Sequence, residues 1–312
     1  MADFRPGAPD QAAFLGELLE GRLLVETGVP GVYGRGEDFE RVRVGVAGMI
    51  SHAGAAEDPE QLRFPPVIPR RDLETVGYLQ SFPHLAGSIF GFTGNEAQAA
   101  EQYGRASQHE DWSEFQSMTE LVLTPAACYP VYPAIAARGR LPVGGVTIDA
   151  GSAYVFRHEP SGDPARMQMF HQREIVRIGE PEAVAAWRDV WRDRAVTLLR
   201  EIDLDARFDV ATDPFFGRSG RMLAASQREQ KLKFEVVVQI AGPEPTAVAS
   251  FNYHQDHFAS AYGIELADGS GAHTACLGFG LERITLALLR THGLDVETWP
   301  ATVRAKLSTP AF

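Results

Sequence analysis

Cysteine is scarce: Cys128 and Cys276 are the only two in 312 residues, which limits the chain to one disulfide at most. In a reducing compartment free thiols or metal ligands are the expected state of both. No Cys-x-x-Cys pair occurs, so spacing alone points to no metal. Long apolar runs are also missing; none approaches the ~20 residues needed to span a bilayer. The N-terminus, Met-Ala-Asp-Phe-Arg-Pro, has no signal-peptide pattern, and Glu17 and Glu20 interrupt the first apolar stretch, which predicts a cytoplasmic protein. Basic charge is in deficit: 29 Lys and Arg against 41 Asp and Glu leave a net charge of −12. Extensive contact with a phosphate backbone needs basic surface, so that class of function is disfavoured, although a local basic patch stays open. The first hundred residues hold no heptad run, and there is no internal repeat or low-complexity tract. What is present is ordinary globular material: an apolar fraction of 45%, and length enough for a large core in one big domain or two small ones.

Along the chain, residues 11–25 read as an amphipathic helix with Phe14, Leu15, Leu18, Leu19 and Leu23 near one stripe. Residues 28–36 are glycine-rich and turn-like. Arg41–Ala47 alternates polar and apolar residues, as a strand or the start of a buried helix would. Phe64-Pro-Pro-Val-Ile-Pro69 is held extended by its prolines. Leu121–Pro130 predicts a strand ending in a turn near Cys128, and Val146–Ala150 a further short element. Ala153–Glu159, a polar loop and Met167–Ile178 form a strand–loop–strand hairpin pattern. A helix is predicted over 182–202, with Val184, Trp187, Trp191, Ala195, Leu198 and Ile202 inward. Residues 221–233 suggest a polar helix, and Phe234–Ile240 a strand by its β-branched run. Ala247–Phe258 is mixed.

The stretch Gly269–Leu289 begins loose and then turns apolar at helical spacing: Leu281, Ile284 and Leu288 share one face. Gly278 and Gly280, just before it, let backbone approach a ligand closely, and a helix start suits an anion. Arg283, one turn in, can reach a phosphate or stack on a base. On spacing alone an ordinary strand–turn–helix with a surface arginine explains as much, because a lone Gly-x-Gly is a weak signal.

Two motifs sharpen this. Gly278-Phe-Gly-Leu-Glu-Arg283 resembles motif 3 of the class II aminoacyl-tRNA synthetases, and Phe156-Arg157-His-Glu159, upstream as the order requires, resembles their motif 2. The resemblance implies an α+β fold, a mixed, mainly antiparallel sheet flanked by helices, and an ATP site. It implies that Arg157 holds the α-phosphate and the amino acid carboxylate, and that Arg283 packs on adenine and contacts phosphates; these two are the catalytic candidates. Glu159, Arg166 and Met167 are implied beside the nucleotide, and Phe170 stacked on adenine. Ser250 and Asn252 belong to a stretch similar to the strand that lines the substrate pocket, with Ser250 assigned to ATP and Asn252 to the amino acid. The usual acidic Mg²⁺ ligand ahead of that strand is not evident in 246–252, and Glu235 is taken to substitute.

Within such a fold Cys128, Glu174 and Cys276 would converge on the amino acid pocket; two thiolates and a carboxylate suit Zn²⁺ and leave one position open for substrate. Glu174 would thereby also meet the amino acid. Two buried cysteines and a hydrogen-bonded glutamate are the simpler explanation; His171 and His273 are lesser candidate ligands. The set resembles both the zinc-dependent archaeal seryl-tRNA synthetases and the amino acid:[carrier protein] ligases, which are synthetase cores without a tRNA-binding arm. The missing arm, the acidic charge and the length favour the second. What that family implies is ATP-dependent activation of glycine or alanine as an adenylate, then transfer to the phosphopantetheine thiol of a carrier protein. The expected organisation is one catalytic domain over 1–312, with an N-terminal extension at 1–60 and an insertion at 205–233. A homodimer is expected, and neither tRNA nor membrane as partner. Residues 218–233 concentrate five basic residues against one acid; Arg221, Arg228 and Lys231 are the candidates for carrier docking, against the plainer reading of a solvated helix face. Three alternatives remain: tRNA aminoacylation with a separate RNA-binding partner, a silent paralogue serving as a binding module, and an unrelated zinc protein with chance motifs.

Overall fold

A computed structural model describes residues 4–308, the side chains of 218 and 219 apart. Its centre is a seven-stranded sheet. The strands are β1 (Glu60–Gln61), β2 (Val146–Phe156), β3 (Met169–Gly179), β4 (Arg207–Val210), β5 (Lys233–Val238), β6 (Thr246–Gln255) and β7 (His273–Gly280). Across the sheet they run β1-β2-β3-β7-β6-β5-β4. Only β1 and β2 pair in parallel; the other neighbours are antiparallel.

Side chains of a strand alternate between faces, and both faces of this sheet are covered. Ile175, Leu277 and Phe279 pack into one apolar core with α1 (Pro9–Glu20), α2 (Glu37–Gly54), α3 (Pro181–Arg200) and α5 (Leu281–His292). Val176, Ile178 and Cys276 face a second core built on Val131, Tyr132, Ile135 and Phe258. In α5 the predicted face is right: Leu281, Ile284 and Leu288 are all fully buried. A three-stranded sheet, Val67–Pro69, Gln116–Leu123 and Ser88–Phe92, flanks the second core. No helix among the described residues is long and apolar enough to cross a membrane.

Several boundaries differ from expectation. The first helix stops at Glu20, because Gly21 caps it and Arg22 takes a left-handed φ of 55°; Leu23 is buried beyond the helix rather than on its stripe. Arg41–Ala47 lies inside α2, so its alternation reflected one buried helix face. The element at 146–150 and the strand at 153–156 are a single strand, β2, with a bulge between Asp149 and Gly151. The polar helix, α4, spans Gly217–Glu229 and ends before Lys231, whose φ is 50°. Cys128 lies in the loop after a strand that already ends at Leu123.

One buried ion pair ties α2 to the sheet. Arg173 of β3 donates to Asp149 of β2 at 2.5 and 2.7 Å, and to Ser51 Oγ of α2 at 3.0 Å. Arg173→Met leaves the buried Asp149 carboxylate with only the longer contact to Arg63, at 3.6 Å, and the Gly151 N–H. The expected cost is about 3–5 kcal/mol of stability, read from the shift of a urea unfolding midpoint.

Candidate active site

Strand register builds the floor of a cleft. Glu174 of β3 stands opposite Gly278 of β7, Gly278 opposite Ser250 of β6, and Ser250 opposite Glu235 of β5. The next row, on the same face, runs Cys276, Asn252, Lys233. Gly278 sits mid-row with no side chain; a Cβ there would come within 3.0 Å of Gln172 Nε2 and 3.5 Å of Ser250 Oγ. The glycine therefore keeps the floor open. Above it lies a cavity of about 480 Å³, lined by Cys128, Arg157, Phe170, Glu174, Glu235, Ser250, Asn252, Cys276 and Arg283 among others. Its size suits a small-molecule site.

At one end the donor atoms of Cys128, Glu174 and Cys276 all lie within 4.8 Å of one another, and all three residues are buried. Glu174 Oε2 also accepts the Cys128 backbone N–H at 2.8 Å. Burial raises the pKa of Glu174 and of Cys128; that of Cys276 is raised well above its ordinary value, first by the neighbouring Cys128 sulfur and then by burial. Three acids packed this closely oppose one another's ionisation, and a divalent cation among them would remove that conflict. Two sulfurs and one carboxylate fit Zn²⁺. Asn252 Nδ2 lies 3.6 Å from Cys276 Sγ, while Asn252 Oδ1 is buried with no hydrogen-bond partner. His273 points elsewhere and bonds Tyr253, and His171 is held by Glu282 at 2.7 Å; neither joins the three.

At the other end two arginines face the cavity. Arg157 Nε donates to the Pro125 carbonyl at 3.2 Å, and its guanidinium lies 5.7 Å from the centre of the Phe170 ring. Arg283 is anchored by the Ala165 and Ala247 carbonyls, each at 2.8 Å. Burial, then the charges of Arg157 and Arg166, push the Arg283 pKa below the usual arginine value. Like charges held together beside a cleft attract an anion there. The remaining predicted contacts are peripheral. Glu159 and Arg166 pair with each other at 3.0 Å and do not line the cavity. Met167 is buried beside a small recess shared with Phe170 and Arg283.

Lys233 does not belong with the basic residues of α4, where its place in the sequence suggests it: it opens β5. Lys233 is buried, and its ammonium lies in the cleft 2.6 Å from Asp213 and 3.0 Å from Glu235. Burial lowers its pKa, but the two carboxylates more than offset that, so it stays a cation. Asp213 is held in turn by Gln227 of α4, through two bonds of 2.7 Å. The signal was available: Lys233 and Glu235 are two apart in a strand and so share a face. His254, missed for the same reason, lies on the Asn252 face, with Nε2 3.5 Å from Cys276 Sγ. Burial, then the neighbouring His257, bring its pKa down to about 3. Arg221, Arg228 and Lys231 are exposed, while Leu223, Ser226 and Gln227 of α4 wall the cavity.

No protein-family model matches the chain. Two curated relatives are the amino acid–[acyl-carrier-protein] ligases 1 and 2 of Bradyrhizobium diazoefficiens. They are 44% and 45% identical over 304 residues, covering 96% and 97% of this chain and 92% and 89% of those proteins. A type-2 serine–tRNA ligase of Methanopyrus kandleri is 28% identical over 201 residues, which is 60% of this chain and 37% of that protein. Among solved structures, M. kandleri SerRS in complex with A. aeolicus tRNASec superposes with a TM-score of 0.79 at 20% identity, over 97% of this chain and 61% of that one. Giardia lamblia prolyl-tRNA synthetase in complex with prolyl-adenylate gives 0.68 at 14%, over 90% and 53%. The chain thus spans little more than half of these two structures, and the likeness to them is one of fold.

Proposed function

The chain belongs to the amino acid–[acyl-carrier-protein] ligases and has the fold of a class II aminoacyl-tRNA synthetase core, and on that premise we propose that it activates a small amino acid, glycine or alanine, with ATP and passes it to the phosphopantetheine thiol of a carrier protein. The observation that supports this best is the single cavity that holds the Cys128, Glu174, Cys276 set at one end and Arg157 with Arg283 at the other. In the first step an amino acid carboxylate oxygen attacks the α-phosphorus, and pyrophosphate leaves. Arg157 and Arg283 meet the charge that develops on the phosphates; catalysis of this kind is positioning and electrostatics. Phe170 and Met167 frame the adenine, and Glu159 and Arg166 close the rim. In the second step the carrier's thiol sulfur attacks the activated carbonyl carbon, and AMP leaves.

Cys128, Glu174 and Cys276 would hold Zn²⁺, which when bound supplies a Lewis acid for the substrate's neutral amino group. Asn252 Oδ1 is free to accept from that amino group. Glu235 and Ser250, side by side on β5 and β6, are the oxygen donors proposed toward Mg²⁺, and Glu235 must then be shared with Lys233. The deciding experiment is pyrophosphate exchange with each of the twenty amino acids, followed by transfer to a phosphopantetheinylated carrier and, separately, to tRNA. Exchange with glycine or alanine and a thioester on the carrier are expected. Serine-dependent exchange with charged tRNA would replace this reading by the seryl one that the 28% relative suggests.

We further propose that the exposed face of α4 and the turn after it dock the carrier through Arg221, Arg228 and Lys231. Arg228→Glu with Lys231→Glu is expected to slow transfer to the carrier several-fold while exchange stays at the wild-type rate, because rim charges act mainly on association. Measuring both half-reactions checks this; loss of both or of neither removes α4 from the role.

A further inference from the structure

Among the cleft residues, His254 has no part in the reaction above. It is half-buried at the end of β6, edge-on to the stacked rings of Tyr132 and Phe258 at 6.2 and 4.8 Å. Its two ring nitrogens are both engaged: Nε2 lies 3.5 Å from Cys276 Sγ, and Nδ1 lies 3.0 Å from Thr274 Oγ1. Thr274 is fully buried on β7, two residues from Cys276, so all three groups share one face of the sheet.

We propose that His254 is a positioning residue for the metal: it donates Nε2–H to the Cys276 sulfur and so stabilises it as the thiolate that a cation needs. The inference rests on the zinc reading of Cys128, Glu174 and Cys276. A thiolate can only accept, so the ring must carry its proton on Nε2. Nδ1 is then an acceptor, and the buried Thr274 hydroxyl supplies the proton that fixes this tautomer. His254 is not a fourth ligand, because its nitrogens fall outside the donor atoms that lie within 4.8 Å of one another. Asn252 Nδ2, at 3.6 Å, gives the same sulfur a second N–H. The Cys128 sulfur has no N–H side-chain donor among the described hydrogen bonds. The Tyr132 hydroxyl is its side-chain neighbour instead, so the two sulfurs are unlike: Cys276 is the one that two N–H groups face. Partners outside the ligand set orient ligands and tune metal affinity in just this way, and removing one typically costs about 10–100-fold in affinity.

The test uses the purified full chain loaded with Zn²⁺ or Co²⁺. His254→Phe keeps a ring against the Tyr132–Phe258 stack but has no N–H; His254→Gln keeps an N–H donor. Metal affinity is read by competition with a chromogenic chelator, and the sulfur's electron density by the sulfur-to-cobalt charge-transfer band. The expected result is about 10–100-fold weaker binding in His254→Phe, with the band moved to longer wavelength, and both restored most of the way in His254→Gln. Circular dichroism of each variant reports the fold. Equal affinity and an unmoved band in His254→Phe overturn the proposal. So does weakened binding with an unmoved band, which a general loosening of the pocket would give. Wild-type protein that binds neither metal overturns the zinc reading itself, and this inference with it, an outcome distinct from the other two.

Discussion

Arg157→Ala is expected to slow amino-acid-dependent pyrophosphate exchange by about 10²–10³-fold, the loss of about 2.7–4 kcal/mol seen when one preorganised electrostatic donor is removed. The size follows from how little could take its place. Arg283, the other cleft arginine, is tethered by the Ala165 and Ala247 backbone carbonyls, and the Lys233 ammonium is already divided between Asp213 and Glu235. Arg166 lies at the rim, paired with Glu159. The effect should fall on the rate at saturating ATP, because in the proposed role the charge that Arg157 would meet grows as pyrophosphate departs. Exchange close to wild type would mean that the α-phosphate sits elsewhere in the cavity.

Cys276→Ser is expected to abolish both metal and activation. Wild-type protein should carry about one Zn²⁺ per chain, as a three-ligand site with an open position does. A serine hydroxyl is a poor substitute for a thiolate, so elemental analysis of the variant should find no zinc and exchange should fall to background. The fold should survive: the exchange is nearly isosteric, and Asn252 and His254 are within reach of the new hydroxyl. Retained zinc together with retained exchange would show that the three residues are not the metal site.

The long elements were legible in the residues because each has one dominant period. The β-branched run of β5, the paired strands β2 and β3, and the stripe of α5 all appear where apolar spacing puts them. The short strands at 67–69, 88–92 and 116–123 were only partly readable, since their exposed faces carry Phe90, Phe92 and Met118 and blur the alternation. The arginines of the cleft were found through motifs. Convergence of Cys128, Glu174 and Cys276 was not readable from spacing; it needs the register that sets Cys276 beside Asn252 and Glu174 beside Gly278. Lys233 was misread because it follows Lys231 in a basic run, although a strand begins between them and turns only the second lysine inward. Glu282 shows the converse. It sits within the glycine–arginine motif, yet it is buried away from the cavity, holding His171 and Arg35.

If the proposed Mg²⁺ and carrier sites hold, Asp213 would make the two ends of the reaction thermodynamically answerable to each other. From Glu235 the contacts pass through the Lys233 ammonium to Asp213, and from Asp213 to Gln227 in α4. A cation bound with ATP beside Glu235 would draw that carboxylate from Lys233 and leave the ammonium to Asp213 alone; a carrier that shifted α4 would pull on the same aspartate from the far side. Linkage is reciprocal: by whatever factor bound nucleotide alters the affinity for carrier, bound carrier must alter the affinity for nucleotide. The size of that factor would then be a property of four side chains rather than of either binding surface.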